Sequence, residues 1–280
     1  MIAYSGGPDS KALLYSVLDW GKAPIHVAHV DHGWRAESGR EAFELEQEVK
    51  NLGLIFHTTR LEKTNTEDEA RTLRYAYFRK LQEKIPYQAT LLGHQADDLA
   101  ETVLKRIFEG AHLTSLTGMR PVSALEKLEL WRPLLSIPRT TIQEWLEEKK
   151  LTALSDSTNE DPKFLRARMR RELLPFLNKT FGKNISRNLL QISERSQELR
   201  EYFQKNHEQK SIEDSFGLWI DGTSLARVEL RALIQQKVSL PRTVLERLLD
   251  WVEQKKKSKT LTVGGYRILS DSGFLFFFAK

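Results

Sequence analysis

Ser5-Gly6-Gly7-Pro8-Asp9-Ser10 follows a short apolar start, Ile2-Ala3-Tyr4, and runs directly into a helical pattern at Leu13, Leu14, Val17 and Leu18. Strand, glycine turn and helix in this order make a phosphate cradle. Gly6 and Gly7 let the backbone turn with its N–H groups converging, Ser5 and Ser10 add hydroxyl donors, and the helix N-terminus supplies partial positive charge. Asp9 is the odd member, because a carboxylate beside phosphates makes sense mainly if it helps to hold Mg²⁺. Lys11 does not make this a Walker loop, whose glycine, lysine and Ser/Thr spacing is absent. Taken alone, the hexapeptide also reads as an ordinary capped Gly-Pro turn.

A second stretch repeats the plan. After the apolar run Ala89-Thr90-Leu91-Leu92 comes Gly93-His94-Gln95-Ala96-Asp97-Asp98-Leu99-Ala100-Glu101-Thr102, which continues as a helix through Val103, Leu104, Ile107 and Phe108. Asp97 with Glu101 stands at i, i+4 and Asp98 with Glu101 at i, i+3, so three carboxylates crowd the first turns. The plain reading is helix-dipole complementation plus a Glu101–Lys105 pair; the sharper one is that the carboxylates receive Mg²⁺ or an ammonium group. If both helices start at one edge of a parallel sheet, the two motifs face one crevice beyond the carboxyl ends of the strands.

The rest of the first half alternates. Ile25–Val30 reads as a strand, Glu41–Leu52 as a helix, Leu54–Thr58 as a strand, Glu67–Lys84 as a long helix and Ala89–Gly93 as a strand, which predicts an α/β fold with a doubly wound parallel sheet. Gly110–Met119 reads as a loop, Leu128–Leu135 as apolar and extended, and Arg139 to Lys149 as a helix. The first domain is placed at 1–180, a helical linker at 181–210 and a small α/β C-terminal domain at 211–280. In that last part, helices near Ser224–Gln236 and Arg242–Glu253 precede short strands at Leu261–Gly264, Tyr266–Ser270 and Phe274–Phe278. The first strand, about four residues, is shorter than the ~5–6 usual for strands, which points to a compact or trimmed start.

Composition narrows the classes. With 280 residues, 40% of them hydrophobic, the chain has enough material for a packed core. Lys plus Arg number 43 against 38 Asp plus Glu, a net charge of +5, which suits a polyanionic partner. No apolar run of eighteen residues and no signal-peptide pattern occurs, so a cytoplasmic protein without a membrane partner is expected. There is no cysteine, which excludes disulfide, thiolate-metal and persulfide chemistry within these residues.

Three further clusters bear on function. Val30-Asp31-His32-Gly33-Trp34-Arg35 closes the second strand, so its polar residues emerge at the edge that carries the phosphate cradle; a simple turn is the alternative. Arg71, Arg74 and Tyr75 occupy neighbouring helical positions that reach a phosphate or base, or form a solvated charged face. Asp156-Ser157-Thr158-Asn159 precedes Lys163, Arg166, Arg168, Arg170 and Arg171, five basic residues with no acid among them in that stretch. Such a surface repels itself, and bound phosphate relieves the repulsion.

In this order and at these intervals the five motifs resemble those of the tRNA(Ile)-lysidine synthases, in the N-type ATP pyrophosphatase (PP-loop) group with its Rossmann-like sheet. The likeness runs from residue 5 to about residue 175. It implies ATP and Mg²⁺ as cofactors, and as partners free lysine, an isoleucine tRNA with a CAU anticodon and a second copy of the chain. The implied reaction adenylates C2–O of the wobble cytidine and then joins lysine to C2, giving lysidine, AMP and pyrophosphate. By the resemblance, Ser5, Gly6, Gly7, Pro8, Asp9 and Ser10 bind ATP together with Asp31, His32, Gly93 and His94, and Asp9 holds the metal. Asp97, Asp98 and Glu101 hold lysine or Mg²⁺, while Asp9, Asp98, Arg71 and Arg170 carry the catalysis. Arg74, Arg166, Arg168 and Lys255, Lys256 and Lys257 are assigned to tRNA, though charge runs such as the last are usually solvated loops. The chain departs from the group at Ala167, where an Asn commonly follows the Arg. Related thiolation enzymes need cysteines that this chain lacks. Two alternatives remain at this point: an AMP-forming ligase acting on a small molecule, as in NAD synthetase, and a non-catalytic RNA-binding protein with a nucleotide pocket.

Overall fold

The computed structural model describes residues 1–22, 24–33, 37–61, 66–154 and 165–279. Trp34, Arg35, the segment Asp156 to Asn159 and Lys163 therefore lie outside the described residues. The chain separates into two compact units, one of Met1–Gly110 with Gly118–Ile192, the other of Ala111–Thr117 with Ser193–Lys280.

The first unit begins with the expected alternation: β1 (Ile2–Ala3), α1 (Pro8–Trp20), β2 (His26–Asp31), α2 (Ser38–Asn51), β3 (Ile55–Arg60), α3 (Glu67–Lys84), β4 (Thr90–Leu91) and α4 (Ala96–Phe108). Next come β5 (Val122–Leu125), β6 (Leu128–Trp131), α5 (Arg139–Glu148), α6 (Leu165–Arg168) and α7 (Leu174–Phe181), the last two joined by a π-turn at Met169–Leu173. Strand order is β3-β2-β1-β4-β6-β5, and every pairing is parallel except β5 with β6. The antiparallel β5 is absent from the sequence reading because it offers no buried face: Val122, Ala124 and Leu125 are all exposed.

The sheet is covered on both sides. Leu13 and Leu14 of α1 and Leu45 and Val49 of α2 pack with Ile2 and Val27, whereas Tyr75, Phe78 and Leu81 of α3 pack with Ala28, Val30, Leu128 and Leu130. The chain leaves β1 towards β2 and β3 and returns through α3 to β4, so the winding reverses between β1 and β4. Loops that follow two such strands open onto a shared crevice. Although β1 is only two residues long, it pairs on both sides, and its ladder is extended by Tyr4 N–H donating to Ala28 O (2.9 Å) and Leu91 N–H to Met1 O (2.8 Å).

Lys11 turns away from any phosphate role. Its ammonium is buried, pairs with Glu48 Oε1 at 2.9 Å and donates to Thr152 O at 2.6 Å. Glu48 also accepts from the Tyr4 hydroxyl (2.9 Å) and the Tyr15 hydroxyl (3.1 Å). A buried charge survives only when paired in this way, and the pairing ties the first turn of α1 to α2.

In the second unit, α8 (Ile185–His207), whose first turns belong to the first unit, leads to β7 (Ser211–Asp214), β8 (Gly217–Asp221), α9 (Arg227–Lys237), α10 (Arg242–Glu253), β9 (Lys259–Val263), β10 (Tyr266–Asp271) and β11 (Phe274–Ala279). These strands form an antiparallel sheet ordered β7-β8-β11-β10-β9, two strands wider than the sequence suggested. Leu218, Ile220, Ile268, Leu275 and Phe277 pack with Leu230, Ile234, Leu245 and Leu249 of the two helices. Among the described residues no helix is long and apolar enough to cross a membrane.

Gly6 has φ +78°, and a Cβ there would stand 2.7 Å from both Leu154 and Leu45 side chains; Gly53 has φ +72° with nothing within 4 Å. Gly6→Ala should therefore cost about 1–3 kcal/mol in urea denaturation and more than Gly53→Ala, which carries the backbone strain alone. Equal costs would mean that the contact with Leu154 and Leu45 yields freely.

Candidate active site

A cavity of about 320 Å³ opens at the β1–β4 crevice, lined by Ser5, Asp9, Ser10, Asp31, His32, Arg74, Gly93, His94 and Asp98 among the residues singled out from sequence. Tyr4, His29, Ser38, Glu41 and Phe78 complete much of its wall. Those five carry no motif of their own; His29 and Phe78 read as members of a strand and a helix.

The phosphate loop is held by its own side chains. Ser5 N–H donates to Ser10 Oγ (3.2 Å), the two hydroxyls lie 3.1 Å apart, and Ser10 Oγ donates to Gly7 O (3.0 Å). Gly7 is the N-cap of α1 and Pro8 follows at its first position, but no side chain caps the helix. The first amides of α1 are thus left for an anion, as helix geometry allows. Asp9 sits in that first turn with Oδ1 buried and without a hydrogen-bond partner. Burial, then the nearby Asp98 charge, pushes its pKa up from 3.8 to about 6, against the pull of Arg139 and Arg170.

The second loop is built differently. Gly93 lies against the backbone of the first: a Cβ there would be 3.0 Å from Asp9 C and Ser10 N. Gln95 caps α4, accepting from Asp97 N–H at 2.6 Å, while Gln95 N–H donates to Asp98 Oδ2 at 3.1 Å. This capping box uses the amides that an anion would need, so α4 presents carboxylates to the crevice. Asp97 does not join them: its Oδ2 accepts from Arg139 N–H (2.9 Å) at the start of α5. Asp98 and Glu101 instead share Arg170, which donates through Nε to Glu101 Oε1 (2.7 Å) and through Nη2 to Glu101 Oε2 (3.1 Å) and Asp98 Oδ1 (3.2 Å). The Glu101 side chain is 1% exposed. Burial raises its pKa and the Arg170 hydrogen bonds pull it back. Burial also works against the Arg170 charge, but Glu101 and Asp98 outweigh it and raise the pKa.

The cavity has a cationic side. Burial, then the charges of Arg132, Arg74, Arg71 and Arg166, depresses His94 to about 3, and its Nδ1 has no hydrogen-bond partner. His94 is therefore neutral at physiological pH. Arg71 and Arg74 both stack on Tyr75, at 5.3 and 5.6 Å from the ring centre. Arg132, which sequence reasoning left inside a strand, is buried and anchored through Nη1 to Arg120 O (2.8 Å) and Ser123 Oγ (2.9 Å). Its signal was its place directly before Pro133 in an otherwise apolar run. Asp31 is engaged locally, accepting from Gly33 N–H (2.7 Å) and pairing with Arg60 at 3.6 Å. Arg168 is exposed and lines a separate apolar groove with Met169 and Phe176, away from the cavity wall. Lys255, Lys256 and Lys257 belong to the second unit.

Among the described residues no group of three or more His, Asp or Glu is spaced to hold a metal unaided. Mg²⁺ is commonly held by one or two carboxylates together with substrate phosphates and water, and the orphaned Asp9 Oδ1 near Asp98 fits that pattern.

An open phosphate loop at the switch point of a doubly wound sheet defines a nucleotide-binding α/β protein. Within that class the chain belongs to the PP-loop domain family, whose model matches residues 1–177. It is similar to the tRNA(Ile)-lysidine synthase of Protochlamydia amoebophila (strain UWE25), 34% identical over 298 residues that cover 100% of this chain and 65% of the relative. It is also similar to that of Chlamydia pneumoniae, 42% identical over 210 residues, covering 73% of this chain and 66% of the relative. The chain thus spans just under two thirds of the length of these relatives. Among solved structures, the U34-tRNA thiolase NcsA from Methanococcus maripaludis shares the fold, with a TM-score of 0.57 at 17% identity and 70% of each chain covered.

Because Asp9 is raised from 3.8 to about 6, the folded state keeps a proton that the unfolded state releases. Its contribution to stability is therefore greatest below about pH 4 and falls as pH rises towards 6. Asp9→Asn should remove that part of the fall and leave the variant about 3 kcal/mol more stable than the parent above pH 6. Urea denaturation at pH 4 and pH 7 measures the difference; an identical pH dependence in both proteins would refute it.

Proposed function

We propose that the chain is an ATP-dependent ligase that joins lysine to C2 of the wobble cytidine of an isoleucine tRNA with a CAU anticodon. The observation that carries this reading is that an uncapped phosphate loop and Asp98 line one cavity, Asp98 being tied through Arg170 to Glu101 behind it. A phosphate loop alone suits any ATP user; an acidic pair beside it, half-buried Asp98 with buried Glu101, suits an ammonium-bearing second substrate.

The α1 amides with the hydroxyls of Ser5 and Ser10 bind the phosphates, and the arginines around His94 add positive potential for the triphosphate and the activated base. Asp9 together with Asp98 would hold Mg²⁺, which would neutralise charge on the leaving pyrophosphate. Cytidine O2 attacks the α-phosphorus; the new O–P bond forms as the bond to pyrophosphate breaks. Work of this kind rests on positioning and electrostatics. Neutral His94 adds no further cation to the arginine side and offers Nδ1 to a hydrogen-bond donor of the nucleotide.

The second step needs a free amine. Lysine ε-ammonium sits against Asp98, the member of the pair that lines the cavity, and a carboxylate there takes its proton, while Glu101, 1% exposed and bound through both oxygens, fixes Arg170 beside it. The ε-nitrogen then attacks C2, the C2–O bond breaks and AMP leaves. Arg170 keeps the two carboxylates oriented and ionised until lysine arrives. With no cysteine in the chain, sulfur transfer of the thiolase kind has no carrier here.

Labelled lysine should enter an isoleucine tRNA transcript with a CAU anticodon only when Mg-ATP is present, and should not enter the elongator methionine tRNA that shares the anticodon. Asp9→Ala should lower incorporation by roughly 10²–10³-fold or more while tRNA affinity stays nearly intact. A protein that binds ATP but labels neither tRNA would instead be a ligase for a small acid, detected as AMP release.

A further inference from the structure

Within the second unit, among the described residues, α9 and α10 pack on one face of the sheet. Leu275 and Phe277 of β11 point into the core with α9 and α10, so the alternate residues Phe274, Phe276 and Phe278 lie on the opposite face. Trp219 of β8 pairs with Phe276, and Ile212 of β7 pairs with Trp219, which extends the same row to the sheet edge. The rings form one cluster: Trp219 meets Phe276 edge-on at 4.7 Å and Phe278 at 6.3 Å, and Phe274 lies within 22° of parallel to Phe276. Trp219 remains 38% exposed, Phe274 41% and Ile212 66%. This is a large aromatic surface for a chain to leave open, and such surfaces mark binding sites.

Cations flank it. The Lys255–Lys257 turn is fastened to the Phe274 end of the face, since Ser272 N–H donates to Lys256 O (3.2 Å) and Ser258 N–H to Asp271 Oδ1 (3.2 Å), and Asp271 pairs with Phe274 across the sheet. Lys255 and Lys257 are exposed. At the other end Arg267 pairs with Phe278 and is also exposed. The lysine run is therefore hydrogen-bonded in place beside the Phe274 end of the aromatic row.

We propose that this face binds unpaired RNA nucleotides, with bases stacked on the Trp219–Phe276 cluster and backbone phosphates on Lys255–Lys257 and Arg267. Aromatic rings on the central strands of an open sheet with cations at both ends is the arrangement that single-stranded nucleic acid recognises, because every base has a π-face and every link a charge. A protein partner would meet three lysines at the rim with no apolar counterpart around them. The proposal rests on the reading of the chain as a tRNA enzyme and names where its second unit grips unpaired segments.

Octauridylate is the probe: it contains no cytidine, so its binding is independent of whether the chain makes lysidine. Fluorescence anisotropy with the full chain should show binding that weakens roughly tenfold or more when the bases are replaced by abasic spacers. Trp219→Ala and Phe276→Ala should each weaken octauridylate binding roughly tenfold while scarcely affecting the abasic strand; Trp219→Phe, which keeps a ring, should restore most of the affinity and guards against misfolding as the cause. Replacing Lys255, Lys256 and Lys257 together by Ser should weaken both probes and flatten the salt dependence. Equal affinity for the base-bearing and abasic strands, or affinity unchanged in the Trp219 and Phe276 variants, would overturn the proposal. So would a concentration-dependent dimer that Trp219→Ala dissociates, which would make the face a contact between copies of the chain. Loss of lysine incorporation with octauridylate binding intact would instead count against the catalytic reading alone.

Discussion

The contact between Gly93 and the Asp9–Ser10 backbone governs the site. A side chain at residue 93 would bring a carbon to 3.0 Å from two backbone atoms of the first turn of α1 and press the two loops apart, so glycine is what lets them approach this closely. That approach is what the short strands β1 and β4 provide: they are neighbours and run parallel, and each ends in a loop at the same edge. With α1 and α4 starting side by side, the open amides of one helix and the carboxylates of the other face a single volume. Neither motif has this property alone. The glycine of the second motif, which looks like part of a second phosphate loop, serves the first by close packing.

Crowding carboxylates in this space raises their energy, and the structure distributes the cost. Asp97 leaves the group to cap α5 through Arg139 N–H, a use that helix ends commonly make of aspartate. Asp98 and Glu101 are neutralised by one guanidinium that reaches both, in the fork geometry that lysine cannot reproduce. Arg170 comes from the π-turn Met169–Leu173, where an extra residue in the helical turn changes which side chains face inward. Its neighbours Met169 and Leu174 are buried against α4, and Arg168 and Arg171 are exposed. Asp9 has no direct partner for Oδ1, and the more distant charges of Arg139 and Arg170 do not offset its burial beside Asp98, so its pKa is raised and its free oxygen fits a cation brought in with phosphates.

The alternation of strand and helix was legible because it depends on local periodicity: α3 spans the residues expected, Glu67–Lys84, and α10 those expected, Arg242–Glu253. The strand β5 was not, since an exposed edge carries no apolar alternation to read. In the site, the loop residues Ser5, Asp9, Asp98 and His94 could be singled out because glycine turns before helices announce them. Arg132 and Glu48 could not. A buried charge is recognisable only from its partners, and Arg132 meets Arg120 and Ser123 across a hairpin, while Glu48 meets Lys11 across two helices. The division of labour among Asp97, Asp98 and Glu101 was equally hidden, because helical spacing puts all three near one another and the choice is made by Arg139 and Arg170, which come from later in the chain.

The C-terminal strands show the same limit from the other side. Phe274-Leu275-Phe276-Phe277-Phe278 reads as a continuous apolar run, the usual mark of a strand buried on both faces. The structure gives it two different environments: Leu275 and Phe277 are fully enclosed by α9 and α10, while Phe274 and its alternates share a face with Trp219. Aromatic residues conceal this difference, because they suit a core as well as a surface that binds flat ligands. What separates the two roles is the company the rings keep. A core strand has apolar neighbours at its ends, whereas this row ends among charges, with Arg267 on one side and Asp221, Asp271 and a turn carrying three lysines on the other. Charges fixed at the rim of an apolar face make burial within a single chain costly, since each would have to be desolvated or paired, and they favour an occupant that brings its own negative charge.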